Sequence, residues 1–211
     1  MRISTDSLAF ALGGAAHALT LVSSGTSLPA ALNLTFDNLR APPSARGAIQ
    51  DLSYRSMRTW GLSKALVNEL LDAPSQQERL ASLLCISLGL LADSSQPYAD
   101  HTVVDLAVTA CAADRELARA KGVVNAVLRR FLRERDQLLA TTHSNEEARW
   151  NYPQWWIDKV RSDWPDDWEN ILRAGNVRPP LTLRVNRRKT SVEDYLELLI
   201  QQQIDATRIG P

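Results

Sequence analysis

The 211-residue sequence is short of the residue types from which many familiar sites are built. It holds two cysteines and three histidines, and Cys85, Cys111, His17, His101 and His143 lie scattered without a CxxC spacing. Neither a zinc site nor a disulfide framework is indicated, and a reducing, cytoplasmic compartment fits that usage best. GxGxxG, the phosphate-binding loop, GxSxG and HExxH are all missing, which removes the usual signatures of dinucleotide binding, phosphoryl transfer, serine hydrolysis and zinc proteolysis. No apolar run is long enough to span a bilayer. The stretch 8–22 is apolar and follows Arg2, but Asp6 precedes it, Gly13, Gly14 and His17 interrupt it, and no small-residue cleavage site closes it, so a signal peptide is not indicated. Hydrophobic residues at 45% and charged residues at 23% lie near the globular average and exclude a wholly disordered chain.

Net charge is also lacking, since 24 basic residues balance 24 acidic ones. That zero is a cancellation of blocks: −2 over residues 1–110, +3 over 111–140, −3 over 141–175, +5 over 176–190 and −3 over 191–211. The segment "NVRPPLTLRVNRRKT" at 176–190 carries Arg178, Arg184, Arg187, Arg188 and Lys189 and no acid. Two basic segments between acidic ones imply a localised polyanion contact, whereas the neutral total argues against indiscriminate nucleic-acid binding.

What is present is mostly helical pattern. Apolar residues recur at three- and four-residue spacing through 8–22, 49–71 with a break at Trp60-Gly61, 80–91, 103–112 and 117–135. Breakers separate them at "APPSARG" (41–47), "DAPS" (72–75) and "DSSQPYAD" (93–100). Six or so amphipathic helices make a helical bundle up to residue 140. After it, "TTHSNEEARW" reads as a polar connector, and two short helices follow around "YPQWWIDKVRSDW" and "PDDWENILRAG", with Pro153 and Pro165 where a first turn tolerates them. In "PLTLRVN", 180–186, Leu181, Leu183 and Val185 alternate with polar residues as in a half-buried strand, and "SVEDYLELLIQQQ" resumes helix with Ser191 as N-cap. One strand and one helix cannot close a sheet, so 177–211 reads as the opening of an α+β domain whose other strands lie beyond Pro211. The fold class expected is therefore mainly α: a bundle over 1–140, a helical connector over 141–176 and a truncated α+β segment over 177–211.

No catalytic constellation emerges. Cys85 and Cys111 read as core residues, and His101 as a residue that caps or packs at a helix start. Arg115, Arg119 and Arg135, with acids nearby, read as solvated or paired. For Arg129, Arg130 and Arg133 a solvated face and a phosphate contact stay equally open. Arg184, Arg187, Arg188 and Lys189 read as phosphate contacts, because strand alternation turns Arg184 away from the core and the following turn has no acid. Trp150, Trp155, Trp156, Trp164 and Trp168 could stack on bases, but aromatic residues at helical spacing read first as helix packing.

"ARGAIQDLSYRSMRTWG", "HTVVDLAV", "AKGVVNAVLRRFLR", "YPQWWIDKVRSDWP" and "NVRPPLTLRVNRRKTS" occur in an order and spacing that resemble the N-terminal region of the bacterial RsmB (Sun) family of small-subunit ribosomal RNA cytosine-5 methyltransferases. The resemblance implies a NusB-like helical RNA-binding domain to about residue 140, a connector, and the start of an RNA-recognition-like domain. It implies a partner, small-subunit ribosomal RNA, with no membrane and no metal, and leaves a protein partner open. The family binds S-adenosylmethionine in a following domain and attacks the base with a cysteine in Pro-Cys or Thr-Cys context. Leu84-Cys85 and Ala110-Cys111 do not match, so no catalytic residue and no cofactor is expected in this chain. Two departures bear on the helical domain: NusB proper has an arginine-rich start where this chain has Arg2, and many relatives have a basic residue where this chain has Thr26. Two further functions stay open on the residues alone, a stand-alone NusB-like antitermination factor and a helical protein-interaction module.

Overall fold

In the computed structural model, residues 3–73 and 77–209 are described; Arg2 and the second half of "DAPS", Pro74 and Ser75, lie outside them. The chain divides into two units, Met1–Val177 and Arg178–Pro211. The mainly α class holds: among the described residues there are eleven α-helices and no strand.

The first unit is organised around two helices that are apolar on nearly every side, as a helix enclosed by others must be. These are α1 (Leu8–Ser23) and α5 (Glu78–Ala92). Ser7 starts α1 by accepting the Phe10 N–H at 3.2 Å, and Gly25 at φ +98° lets the chain turn away after it. Around them pack α2 (Leu28–Asn38), α3 (Pro43–Arg58), α4 (Trp60–Leu70), α6 (Asp100–Ala113) and α7 (Lys121–Thr142). Val124, Val127, Leu128 and Phe131 of α7 are buried, as the spacing anticipates. Each such fully buried large side chain contributes about 1.5–3 kcal/mol. Gly14 makes room for α3, since a Cβ there would meet Ile49 Cδ1 at 2.7 Å.

Arginines reach between helices to acids at helix ends. Arg55 meets Asp93 at 2.8 Å, Arg79 meets Asp114 at 3.1 Å, and Arg135 meets Asp100 at 2.8 Å. Burial raises the Asp93 carboxyl, but hydrogen bonds from Ser95 and from Arg55 outweigh it and hold the group below its ordinary value.

Three differences from the sequence reading have simple causes. "APPSARG" is not only a breaker, because Pro43 stands at the first position of α3, where its missing N–H and fixed φ suit a helix start. α2 was not anticipated by periodicity, as its buried residues are few: Ala31, Leu32 and Thr35. The expected connector "TTHSNEEARW" is largely helical: α7 continues to Thr142, and Asn145 caps α8 (Glu146–Trp150) by accepting the Ala148 N–H at 3.3 Å.

Helices α8, α9 (Gln154–Asp163) and α10 (Trp168–Asn176) share a small core of Trp150, Ile157, Val160 and Leu172. Trp150 and Trp168 meet edge to face at 5.2 Å. This group is held to α4 at Gly61, where a Cβ would meet the Glu147 carbonyl oxygen at 2.0 Å. Asn151, in the left-handed region at φ 59°, ends α8 and accepts the Leu62 N–H on its Oδ1 at 2.9 Å, so it also satisfies one free donor at the start of α4.

In the second unit, the expected strand "PLTLRVN" does not form. A strand needs a partner for its backbone groups, and none exists among the described residues; Leu181 and Leu183 are 85% and 54% exposed. The helix α11 (Val192–Gln201) forms as expected, with the Ser191 Oγ accepting the Asp194 N–H at 3.0 Å.

Gly61→Ala is expected to destabilise the protein toward the upper end of about 1–3 kcal/mol, because the obstacle is backbone that cannot rotate away. Gly13→Ala, which adds a Cβ with nothing within 4 Å, is expected to stabilise by about 0.5–1 kcal/mol. Denaturant midpoints for the pair check both signs.

Candidate nucleic-acid interface

The basic cluster of the second unit is built on Asn186. Its Oδ1 accepts the Arg188 N–H at 3.1 Å and its carbonyl accepts the Lys189 N–H at 2.8 Å, an arrangement that asparagine favours in turns. The turn presents Arg187, Arg188 and Lys189 to solvent, and Arg184 is exposed three residues before Arg187. Among the described residues, none of these four side chains has an ion pair or a hydrogen bond. The next acids along the chain are already committed: Glu193 pairs with Arg208 at 3.0 Å, and Asp194 stands with it in the first turn of α11, where the helix dipole favours negative charge. Four cations in six residues therefore keep their full charge.

The first unit carries the second predicted group on α7. Arg129 Nε donates to Asn125 Oδ1 at 2.9 Å, and Arg130 pairs with Glu134 at 3.1 Å. Arg133 is exposed and without a partner among the described residues, so Arg129 and Arg133, one turn apart, are the two members free to meet a phosphate. Arg135 is engaged with Asp100 and lies over the Phe131 ring at 5.7 Å, whereas Arg115 and Arg119 are solvated.

The tryptophans divide. Trp150 and Trp168 pack as anticipated, but Trp155, Trp156 and Trp164 are 67%, 40% and 61% exposed, which corrects the expectation that the whole group packs. The signal was in the phase of α9: Ile157 and Val160 define its buried face, and the flanking tryptophans fall off it. His101 is likewise exposed at the second position of α6 rather than packed.

Chemistry by the cysteines is disfavoured. Burial pushes the Cys85 thiol up to about 12 and the Cys111 thiol up to about 11, and Cys111 donates to the Leu117 carbonyl at 3.1 Å inside the core. Burial likewise lowers His17, whose ring nitrogens are within 3.0 Å of Thr35 Oγ1 and 2.9 Å of Asn38 Nδ2. Among the described residues, no three His, Cys, Asp or Glu side chains converge to hold a metal ion, and no helix is long and apolar enough to cross a membrane.

A family model for the ferredoxin-like domain of RsmF/B-like methyltransferases matches residues 152–210. The chain is 38% identical over 171 residues to a probable ribosomal RNA small subunit methyltransferase B of Coxiella burnetii, a match that covers 80% of this chain and 39% of that protein. It is 35% identical over 200 residues to the Pseudomonas putida ribosomal RNA small subunit methyltransferase B, covering 92% of this chain and 44% of the relative. Against the protein of that name from Escherichia coli O6:H1 it is 31% identical over 154 residues, covering 73% and 35%. The chain spans about two fifths of the length of these relatives.

With thiols held this far up, native protein at pH 8 is expected to leave both cysteines unmodified by a disulfide reagent over minutes, and to react at both in denaturant. Rapid native labelling of either would contradict the burial.

Proposed function

We propose, since the chain belongs to the ribosomal RNA small subunit methyltransferase B family, that these residues contact the substrate RNA and hold it for methyl transfer, without supplying the reacting group themselves. The observation that carries this reading is the exposed set Arg184, Arg187, Arg188 and Lys189, whose turn is ordered by Asn186 and which no acid neutralises among the described residues. Such a set contacts phosphates, which position an RNA without reading its sequence. An enzyme that modifies a base needs the base unstacked, so single-stranded or looped small-subunit ribosomal RNA is the partner that fits. Arg129 and Arg133 on the helical bundle, which we read as NusB-like, supply a second, weaker contact. The S-adenosylmethionine chemistry of the family is assigned to sequence outside these 211 residues, in keeping with two cysteines held as protonated core residues.

The test is binding to a small-subunit ribosomal RNA stem-loop across a range of salt. Changing Arg184, Arg187, Arg188 and Lys189 to alanine is expected to weaken binding more than about tenfold and to lower the log–log salt slope by roughly 0.7–0.9 for each phosphate that is no longer neutralised. Arg129→Ala with Arg133→Ala is expected to do less. Undiminished, salt-sensitive binding by the fourfold variant would move the contact to the bundle, and salt-insensitive binding would end the phosphate reading.

A further inference from the structure

A cleft of about 370 Å³ lies between α4 and the residues around α8, a volume within the range of small-molecule sites. On α4, Lys64 and Asn68 follow Gly61 by three and seven residues, so the three share the face that forms one wall, and the half-buried Trp60 adds an aromatic ring at its start. Asn145, Glu147 and Asn151 line the opposite wall. The backbone contact at Gly61 fixes one wall against the other.

The internal hydrogen bonds of these walls decide which polar atoms are left for a ligand. Asn151 uses its Oδ1 on the Leu62 N–H and Asn145 uses its Oδ1 on the Ala148 N–H, so in each the amide NH2 is the half left over. Glu147 accepts the Gln154 N–H on Oε1, and its Oε2 has no partner among the described residues. Lys64 and Asn68 make no ion pair or hydrogen bond among the described residues. Asn68 caps no helix end, although asparagine weakens a helix elsewhere, so the fold gives no reason for it.

The lining is thus one ammonium and three amide groups as donors, with one carboxylate and the Asn68 carbonyl as acceptors. A bare phosphate is opposed by the Glu147 carboxylate. A metal ion finds too few ligands, since no three His, Cys, Asp or Glu side chains converge among the described residues. A planar base meets both halves of the lining. Guanine has two adjacent donors, at N1 and N2, for a carboxylate, two acceptors, O6 and N7, for ammonium and amide groups, and a face to stack on Trp60. The other three bases lack that pair of adjacent donors. We propose that the α4–α8 cleft receives an unstacked guanine of the bound RNA. An RNA held for modification of a base has bases off the stack beside the target, and one of them occupies this cleft. The source of the base rests on the RNA reading above, whereas its recognition rests on the cleft alone.

Calorimetry of the whole chain with the four ribonucleoside monophosphates, and with oligouridylate carrying one central guanine or none, tests both parts. GMP is expected to bind saturably and at least about tenfold tighter than AMP, CMP or UMP. Asn68→Ala is expected to weaken GMP by about threefold or more. Glu147→Gln keeps an oxygen for the Gln154 N–H but removes the charge, and is expected to reduce the preference for GMP over AMP below about threefold. Both side chains are exposed, and unchanged denaturant midpoints confirm that folding is intact. Tighter binding of the guanine-containing strand than of GMP or the guanine-free strand assigns the base to RNA, and GMP binding as tight as the strand overturns that source. Equal binding of the four monophosphates, or a GMP preference that survives both variants, overturns the site. Changing Arg184, Arg187, Arg188 and Lys189 to alanine is expected to leave GMP binding unchanged while weakening the stem-loop, so the two proposals fail on separate readouts.

Discussion

The close approach of α8 to α4 at Gly61 is the contact on which the arrangement of residues 146–176 depends. No side chain fits between Gly61 and the Glu147 carbonyl. Once the two backbones touch, polar groups that helix ends would leave unpaired are satisfied by each other: Asn151 takes the Leu62 N–H, Glu147 takes the Gln154 N–H at 2.7 Å, and Asn176 donates to the Trp150 carbonyl at 2.6 Å. Three helix ends, the starts of α4 and α9 and the end of α8, are thus fixed by three side chains. A five-residue helix such as α8 has too little length to hold itself, and it persists because its ends and its buried Trp150 are specified from outside.

That seat explains why the tryptophans divide between core and solvent. Trp150, Ile157, Val160 and Leu172 already fill the core of α8 to α10, so Trp155 and Trp156 are surplus to it. Charge is apportioned in the same spirit. Arg55, Arg79 and Arg135 hold helices together through Asp93, Asp114 and Asp100. Among the described residues Arg184, Arg187, Arg188 and Lys189 pair with no acid, which leaves their charge uncompensated.

Much of the bundle was legible in the sequence because its helices obey one rule, an apolar face repeating every three to four residues. The break at Trp60-Gly61 and the cap at Ser191 were visible for equally local reasons, and the family resemblance rested on five stretches in order. α8 was not visible, because what makes it is Gly61, more than eighty residues earlier in the chain. The start of α3 was hidden by a proline pair that reads as a breaker and acts as a helix start. The strand over 180–186 failed for the opposite reason: its alternation is local, but a strand's hydrogen bonds are not. For the candidate site, the unneutralised turn at 187–189 could be read directly from the absence of acids. The exposure of Trp155 and Trp156 required knowing which face of α9 was already taken.

A neutral chain with alternating charged blocks can offer local contacts that a chain with the same charges mixed evenly could not. If the +5 segment and the −3 segment were mixed along the sequence, their charges would cancel within a Debye length of about 8–10 Å and neither would discriminate. Kept apart in sequence, the basic block around Asn186 meets solvent with no acid of its own, whereas in the acidic block Lys159, Arg161 and Arg173 are each paired with a carboxylate. The zero total limits indiscriminate adhesion to polyanions while leaving local contacts strong.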